Sequence, residues 1–286
     1  MHKVAAAPRR RLDAALRARI LTAVVLAPLA VAGVLWLPSS WFAILLGVIL
    51  CAAMWEWTRV IGFRMRRLRA VIVAGNATLM IAVLGLHLEH WVLPIVWVGV
   101  GWWCLALAWL RAFEFGAAPT RRNLELKALV GSVMLVPAWA AAWSLHRDGE
   151  HGPVWTLYVL VLIWIADISA YFAGRRFGQH KLAPRISPGK TIEGVYGALA
   201  GTLLYAALVG WGVAAIPVGH WQLIGLSLLT VGFSIVGDLF ESLIKRQAQL
   251  KDSGSLLPGH GGLLDRIDSV LAAFPIFVVG RQLIGL

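Results

Sequence analysis

Charge is scarce in this sequence. Asp, Glu, Lys and Arg make up 14% of its 286 residues, where a soluble domain carries about 25%. So few charges cannot cover a water-facing surface of ordinary size, and the mean hydropathy of +0.77 points the same way. Cysteine is scarcer still. Cys51 and Cys104 both lie inside apolar stretches, which excludes a disulfide framework and a cysteine metal site and predicts two small core hydrophobes. There is no internal repeat, no low-complexity tract and no stretch that reads as a soluble domain. The apolar runs are about 17–25 residues long, the length a helix needs to cross a bilayer, and too long and continuous for barrel strands. An all-α, polytopic membrane helical bundle is what these absences leave.

Nine spans are expected, over residues 20–37, 41–60, 70–86, 91–110, 128–145, 154–172, 191–216, 221–244 and 267–286. The first could be taken for a signal peptide, but it is long for one and a second span follows after a two-serine turn. With the N-terminus in the cytoplasm, 24 of the 26 Lys and Arg fall on the inside, and only Arg147 and Arg281 fall outside. That asymmetry fits the positive-inside rule and an odd number of spans. It also accounts for the net charge of +12 without nucleic acid as a partner. Residues 1–19 form a basic cytoplasmic segment with Leu12, Leu16 and Ile20 at helical spacing, fit either to lie on an anionic leaflet or simply to fix topology. Residues 20–150 then hold five spans, and 151–286 hold four spans with the polar loops. Of the 15 tryptophans, Trp36, Trp41, Trp91, Trp155 and Trp221 sit near span ends, where indoles favour the interface.

The charges inside spans cluster in the last third of the chain. In span eight Asp238, Glu241, Ser242 and Lys245 are spaced i, i+3, i+4 and i+7 and share one helix face. With Lys245 at the interface, Asp238 lies about 10 Å deeper. A carboxylate there costs about 2–3 kcal/mol unless it meets a wet cavity, a cation or an ion-pair partner. The following loop is polar and glycine-rich: Lys251-Asp252-Ser253-Gly254, Pro258-Gly259-His260-Gly261-Gly262 and Asp265-Arg266-Ile267-Asp268. Glycines let backbone N–H groups approach a phosphate, and Lys245, Arg246, Lys251 and Arg266 supply positive charge. Aspartates in the same place make sense if Mg²⁺ bridges them to a polyphosphate. Asp265 could equally be a helix N-cap, and His260 a structural hydrogen-bonding residue.

A second basic constellation lies between spans six and seven, with Arg175 and Arg176 in Gly174–Gly178 and then Ser187-Pro188-Gly189-Lys190-Thr191-Ile192-Glu193-Gly194. Ser187 as N-cap with Pro188 at the first helical position predicts that Lys190 and Thr191 occupy the first turn of span seven, where an anion is favoured. Gly189-Lys190-Thr191 is not the end of a Walker A loop, because Pro184 stands where its first glycine is required. Asp167, eight residues before Arg175, is one more acid inside a span.

The stretch SLIKRQAQLKDSGSLLPGHGGLLDRID, from Ser242 to Asp268, closely resembles the signature of phosphatidate cytidylyltransferases. ISPGKTIEG, from Ile186 to Gly194, and AYFAGRRFG before it resemble that family's second conserved region. The two cover the C-terminal 40% of the chain, and residues 1–150 match only in hydropathy. One departure is Asp167-Ile168-Ser169-Ala170-Tyr171, where the family usually has Thr-Gly after the aspartate. The resemblance implies a Mg²⁺-dependent (or Mn²⁺-dependent) nucleotidyl transfer from CTP to phosphatidate in the inner membrane, with release of pyrophosphate on the cytoplasmic side. It implies Asp238, Asp265 and Asp268 as metal ligands and Asp238, Ser242, Lys245 and Asp265 as the catalytic set. Lys190, Thr191, Arg246, Lys251, Asp252, His260, Arg266, Ser187 and Arg175 would bind substrate, and a homodimer is plausible. A CTP-dependent lipid-alcohol kinase would use the same donor. A transporter would want polar residues through the full membrane depth and paired halves, neither of which is present.

Overall fold

The computed structural model describes residues 24–86, 88–212, 219–254 and 261–286. A shorter apolar helix, α1 (Val24–Trp36), comes first. Among the described residues, eight helices long and apolar enough to cross a membrane follow. They are α2 (Ser39–Val60), α3 (Arg66–Gly85), α4 (Val92–Arg111, after a 3₁₀ turn at Glu89–Trp91), α5 (Arg121–His146), α6 (Gly152–Phe177), α7 (Ile192–Gly212), α8 (His220–Gln247) and α9 (Leu264–Ile284). The shortest of the eight has 20 residues and reaches about 30 Å, the thickness of a bilayer's hydrocarbon core. This is the multi-pass helical bundle that the composition demands. The start of the first expected span, the basic segment 1–19, the end of the seventh expected span and His260 lie outside the described residues.

Three local expectations fail. Residues Ser187–Thr191 are not the first turn of α7 but a strand, β2, paired antiparallel with β1 (Lys181–Ala183). The helix begins at Ile192, and Thr191 is what caps it: Gly194 N donates to Thr191 Oγ1 at 3.1 Å. A Ser-Pro pair resembles a helix start, but here Thr191 is the hydroxyl that meets an open N–H three residues on. Trp155 is also buried, packed on Tyr158 and Phe277 and facing Arg281, whereas Trp36, Trp41, Trp91 and Trp221 are exposed near their helix ends as expected. Both cysteines are free, Cys104 on the outer surface and not in the core.

The helices form two layers. Within their most apolar windows α5, α8 and α9 are 50–72% buried, against 22–33% for α2, α3, α4, α6 and α7, so the first three are the inner helices. Phe240 on α8 fixes that helix's rotation. It is fully buried, with the rings of Trp57, Trp102, Trp103 and Trp109 around it at centroid distances of 5.4–6.5 Å; three of the four meet it edge-on, the preferred arrangement. Pro275 interrupts α9 and leaves the Leu271 carbonyl without its helical donor. Trp103 Nε1 donates to that oxygen at 3.1 Å, which removes an unpaired group from an environment without water. Gly197 and Gly201 on α7 face Ala173 and Ser169 on α6 so closely that a side chain on either glycine would collide with them, the small-residue packing common between membrane helices.

The connections gather at two opposite ends. At one, Arg185 pairs with Glu114 at 2.6 Å, Gln247 Nε2 donates to Phe113 O at 2.6 Å and Arg59 Nη2 donates to Ser253 O at 2.6 Å. The connections α2–α3, α4–α5, α6–α7 and α8–α9 therefore share one end. At the other, Ser39 Oγ meets His146 Nδ1 at 2.9 Å, Arg147 pairs with Glu89 at 2.8 Å and Arg281 pairs with Asp148. Arg147 and Arg281, the two cations that the charge count puts outside, lie together at this second end.

Candidate active site

α8 and α9 carry most of the acids, and their closeness depends on a glycine. A Cβ on Gly237 would lie 2.6 Å from the Asp268 carbonyl oxygen, so only glycine lets the α9 backbone close on α8 beside Asp238. Asp238 receives the Lys190 ammonium from the end of β2, and Ser242 Oγ approaches its Oδ1 at 3.5 Å. The β-hairpin is what delivers Lys190. It is tied to α7 by Glu193, which accepts from His180 N at 3.2 Å and meets His180 Nδ1 at 2.7 Å. From α8, Arg246 Nε donates to Ile186 O at 3.2 Å.

Asp265 stands in the first turn of α9, after the cap position at Leu263. Its Oδ1 accepts from Lys245 Nζ at 2.6 Å and Ser253 N at 3.2 Å. Its Oδ2 accepts from Ser253 N at 3.0 Å and Gly262 N at 2.9 Å. Lys245 also contacts Glu241 at 2.5 Å, an internal ion pair between neighbouring turns of α8. Asp268 Oδ1 accepts from Ser269 N at 2.6 Å.

Two cavities meet at these residues. The first, about 470 Å³, is lined by Asp167, Asp238, Lys245, Asp252, Asp265, Arg266 and Asp268 along with Trp164 and Ser269. The second, about 380 Å³, is bounded mainly by apolar and small side chains, including Ala166, Ala170, Leu182 and Val195, with Arg175, Lys190 and Thr191 at its polar edge. Asp167, Asp238 and Ser269 belong to both walls.

The expected site residues thus divide. Asp238, Lys245, Asp252, Asp265, Arg266 and Asp268 line the first cavity, and Arg175, Lys190, Thr191 and again Asp238 the second. Ser187, Ser242, Arg246 and Lys251 line neither. Ser187 pairs with Ala183 in the hairpin, and Arg246 braces it. Ser234 and Tyr171 line the second cavity and Ser269 both; of the three only Tyr171, in the AYFAGRRFG stretch, has a sign in the local sequence. Glu56 was readable in principle: it is a lone acid in an apolar span, and it contacts Ser253 and Leu264 from α2.

Among the described residues no three His, Cys, Asp or Glu side chains are grouped as a finished metal cage. The acids on the cavity wall nevertheless offer carboxylate oxygens, the kind a hard divalent cation prefers. Mg²⁺ typically binds one or two carboxylates and completes its shell with substrate phosphates and water. Asp238 and Asp268 fit that pattern. Asp265 fits it less well, because both of its oxygens already serve protein donors.

Residues 17–284 match the family model described as the Cytidylyltransferase family. The chain belongs to that family. Cytidylyltransferases are nucleotidyl-transferring enzymes, and this one is built as a multi-pass membrane protein. The match takes in the N-terminal helices, which local motifs leave unassigned. The chain is 40% identical over 267 residues to the phosphatidate cytidylyltransferase of Pseudomonas aeruginosa, covering 92% of this chain and 95% of that one. It is 35% identical over 279 residues to that of Haemophilus influenzae, covering 92% and 97%. A shorter match, 43% over 132 residues, links it to the phosphatidate cytidylyltransferase of Bacillus subtilis, with 46% and 49% covered.

Proposed function

We propose that this cytidylyltransferase acts on CTP and phosphatidate, forming CDP-diacylglycerol and pyrophosphate at the cytoplasmic face of the inner membrane. The observation that carries the reading is the shared wall of two unlike cavities. The charged cavity suits a triphosphate. The more apolar one, with Arg175 and Lys190 at its edge, suits a phosphate headgroup whose acyl chains stay in lipid.

A phosphatidate oxygen attacks the α-phosphorus of CTP, forming a P–O bond. The bond from that phosphorus to the bridging oxygen breaks, and pyrophosphate leaves with the electron pair. The nucleophile is already an anion, so no strong base is required, and the protein's tasks are positioning and charge neutralisation. Lys190 and Arg175 hold the attacking phosphate, while Lys245 and Arg266 face the triphosphate. Asp238 and Asp268 would hold Mg²⁺, which when bound offsets charge on the triphosphate. Asp265 keeps Lys245 and the two legs of the α8–α9 connection in place. With purified enzyme, phosphatidate should support pyrophosphate release from CTP, and diacylglycerol should not. Release of CDP with diacylglycerol as acceptor would indicate a lipid kinase instead.

The orientation has its own test. A cytoplasmic N-terminus with an external C-terminus predicts opposite signals from topology reporters fused at Arg11 and after Leu286. Matching signals would contradict the nine-span arrangement.

A further inference from the structure

Glu56 belongs to α2, far along the chain from every motif described above, yet it is 3% exposed and reaches the candidate site. Its Oε2 accepts from Leu264 N at 2.9 Å and from Ser253 Oγ at 3.3 Å, across 208 and 197 residues of sequence. Leu264 is the first residue of α9, and the cap position, Leu263, offers no side-chain acceptor. The early N–H groups of a helix need partners from outside it. Here α2 supplies one.

The same contact fixes the incoming leg of the connection. Ser253 is fully buried, and every polar group it has is held. Its N–H goes to Asp265, its hydroxyl to Glu56, and its carbonyl accepts from Arg59 Nη2 at 2.6 Å, one turn further along α2. Gly254 and Gly262 pack against this node. A Cβ on Gly254 would strike the Glu56 carboxylate, and one on Gly262 would lie 2.6 Å from Gly254 N and 2.7 Å from Glu56 Oε2. The second Glu56 oxygen, Oε1, is buried with no hydrogen-bond partner among the described residues. Glu56 thus ties together the leg that carries Asp252 and the helix that carries Asp265 and Asp268.

We infer that Glu56 is a positioning residue for the nucleotidyl transfer, setting the depth and rotation of α9 and the path of residues 251–254 through one acceptor oxygen. This rests on the proposed reaction, but part of the test does not. Hydrogen exchange in the purified full-length enzyme, read without substrate, should show amides of 251–254 and 261–266 exchanging about tenfold faster in Glu56→Ala, with α6 and α7 unchanged. Turnover per folded enzyme should fall by about 100-fold, the effect of a displacement on the order of 1 Å at reacting groups. Glu56→Gln keeps an acceptor and replaces the oxygen that has no partner. It should stay within about threefold of the wild type, since a neutral oxygen caps as well as a charged one.

Unchanged exchange in Glu56→Ala would overturn the inference, as would faster exchange with wild-type turnover. So would a Gln variant as impaired as Ala, because charge and not acceptance would then matter. If Glu56→Ala does not fold, Arg59→Ala removes the other anchor of Ser253 from an exposed position and must loosen residues 251–254 in the same way; unchanged exchange there contradicts the clamp. A wild type that makes no CDP-diacylglycerol would refute the proposed reaction while leaving the exchange result to stand.

Discussion

Asp238→Asn is expected to lower turnover by about 100-fold to 1000-fold, the range seen when a group that stabilises transferring charge is removed. The amide keeps the size and can still accept from Ser242, but it loses the charge that faces both cavities. The cost in stability should be small. Lys190 loses its partner, yet both side chains are 28% exposed, and the freed ammonium can turn to water in the cavities, so at most about 1 kcal/mol is at stake. Turnover measured at saturating Mg²⁺, together with a melting curve, separates the alternatives. A destabilised protein with normal turnover would mean that Asp238 is only an ion-pair partner.

Asp265→Asn should fail differently. The carboxylate accepts from an ammonium and from two backbone N–H groups through both oxygens. An amide has one accepting and one donating end. Turned one way, its NH₂ faces Lys245; turned the other, it faces Ser253 N and Gly262 N. Neither orientation satisfies the site, and a buried polar group left unmatched costs about 1–3 kcal/mol. Both melting temperature and activity are therefore expected to fall, with Asp265→Ser similar. A simple helix cap would tolerate Asn and Ser in both respects. A pure metal ligand would lose activity with its melting temperature unchanged. Measuring both quantities on the same preparations distinguishes the three roles.

The spans were legible because hydropathy is summed over some 20 residues, and errors at the ends do not disturb the count. The errors themselves are instructive. α5 starts at Arg121, seven residues before the expected 128, because its first turns carry Arg121, Arg122, Glu125 and Lys127 and look like loop. Thr120 nevertheless caps it, accepting from Asn123 N at 3.3 Å. α6 likewise runs on to Phe177 through Arg175 and Arg176. The hairpin was not legible, since two strands of three and five residues depend on each other and on braces from Arg246 and Glu193. In the site, spacing along α8 was enough to put Asp238, Glu241, Ser242 and Lys245 on one face. It could not show that Lys190 pairs with Asp238, or that Asp265 closes on Ser253 and Gly262. The role of Glu56 is not legible from its neighbours, because its partners lie some 200 residues away; a lone acid in an apolar span is the only local sign.

The most direct test of the central claim follows the phosphorus atoms of CTP. Purified enzyme in detergent with phosphatidate and diacylglycerol together would receive CTP labelled at the α-phosphate in one reaction and at the γ-phosphate in another, and the lipid would then be extracted. The two-cavity account predicts α-label in the lipid and γ-label only in released pyrophosphate. Recovery of γ-label in the lipid, with α-label left in soluble CDP, would contradict it.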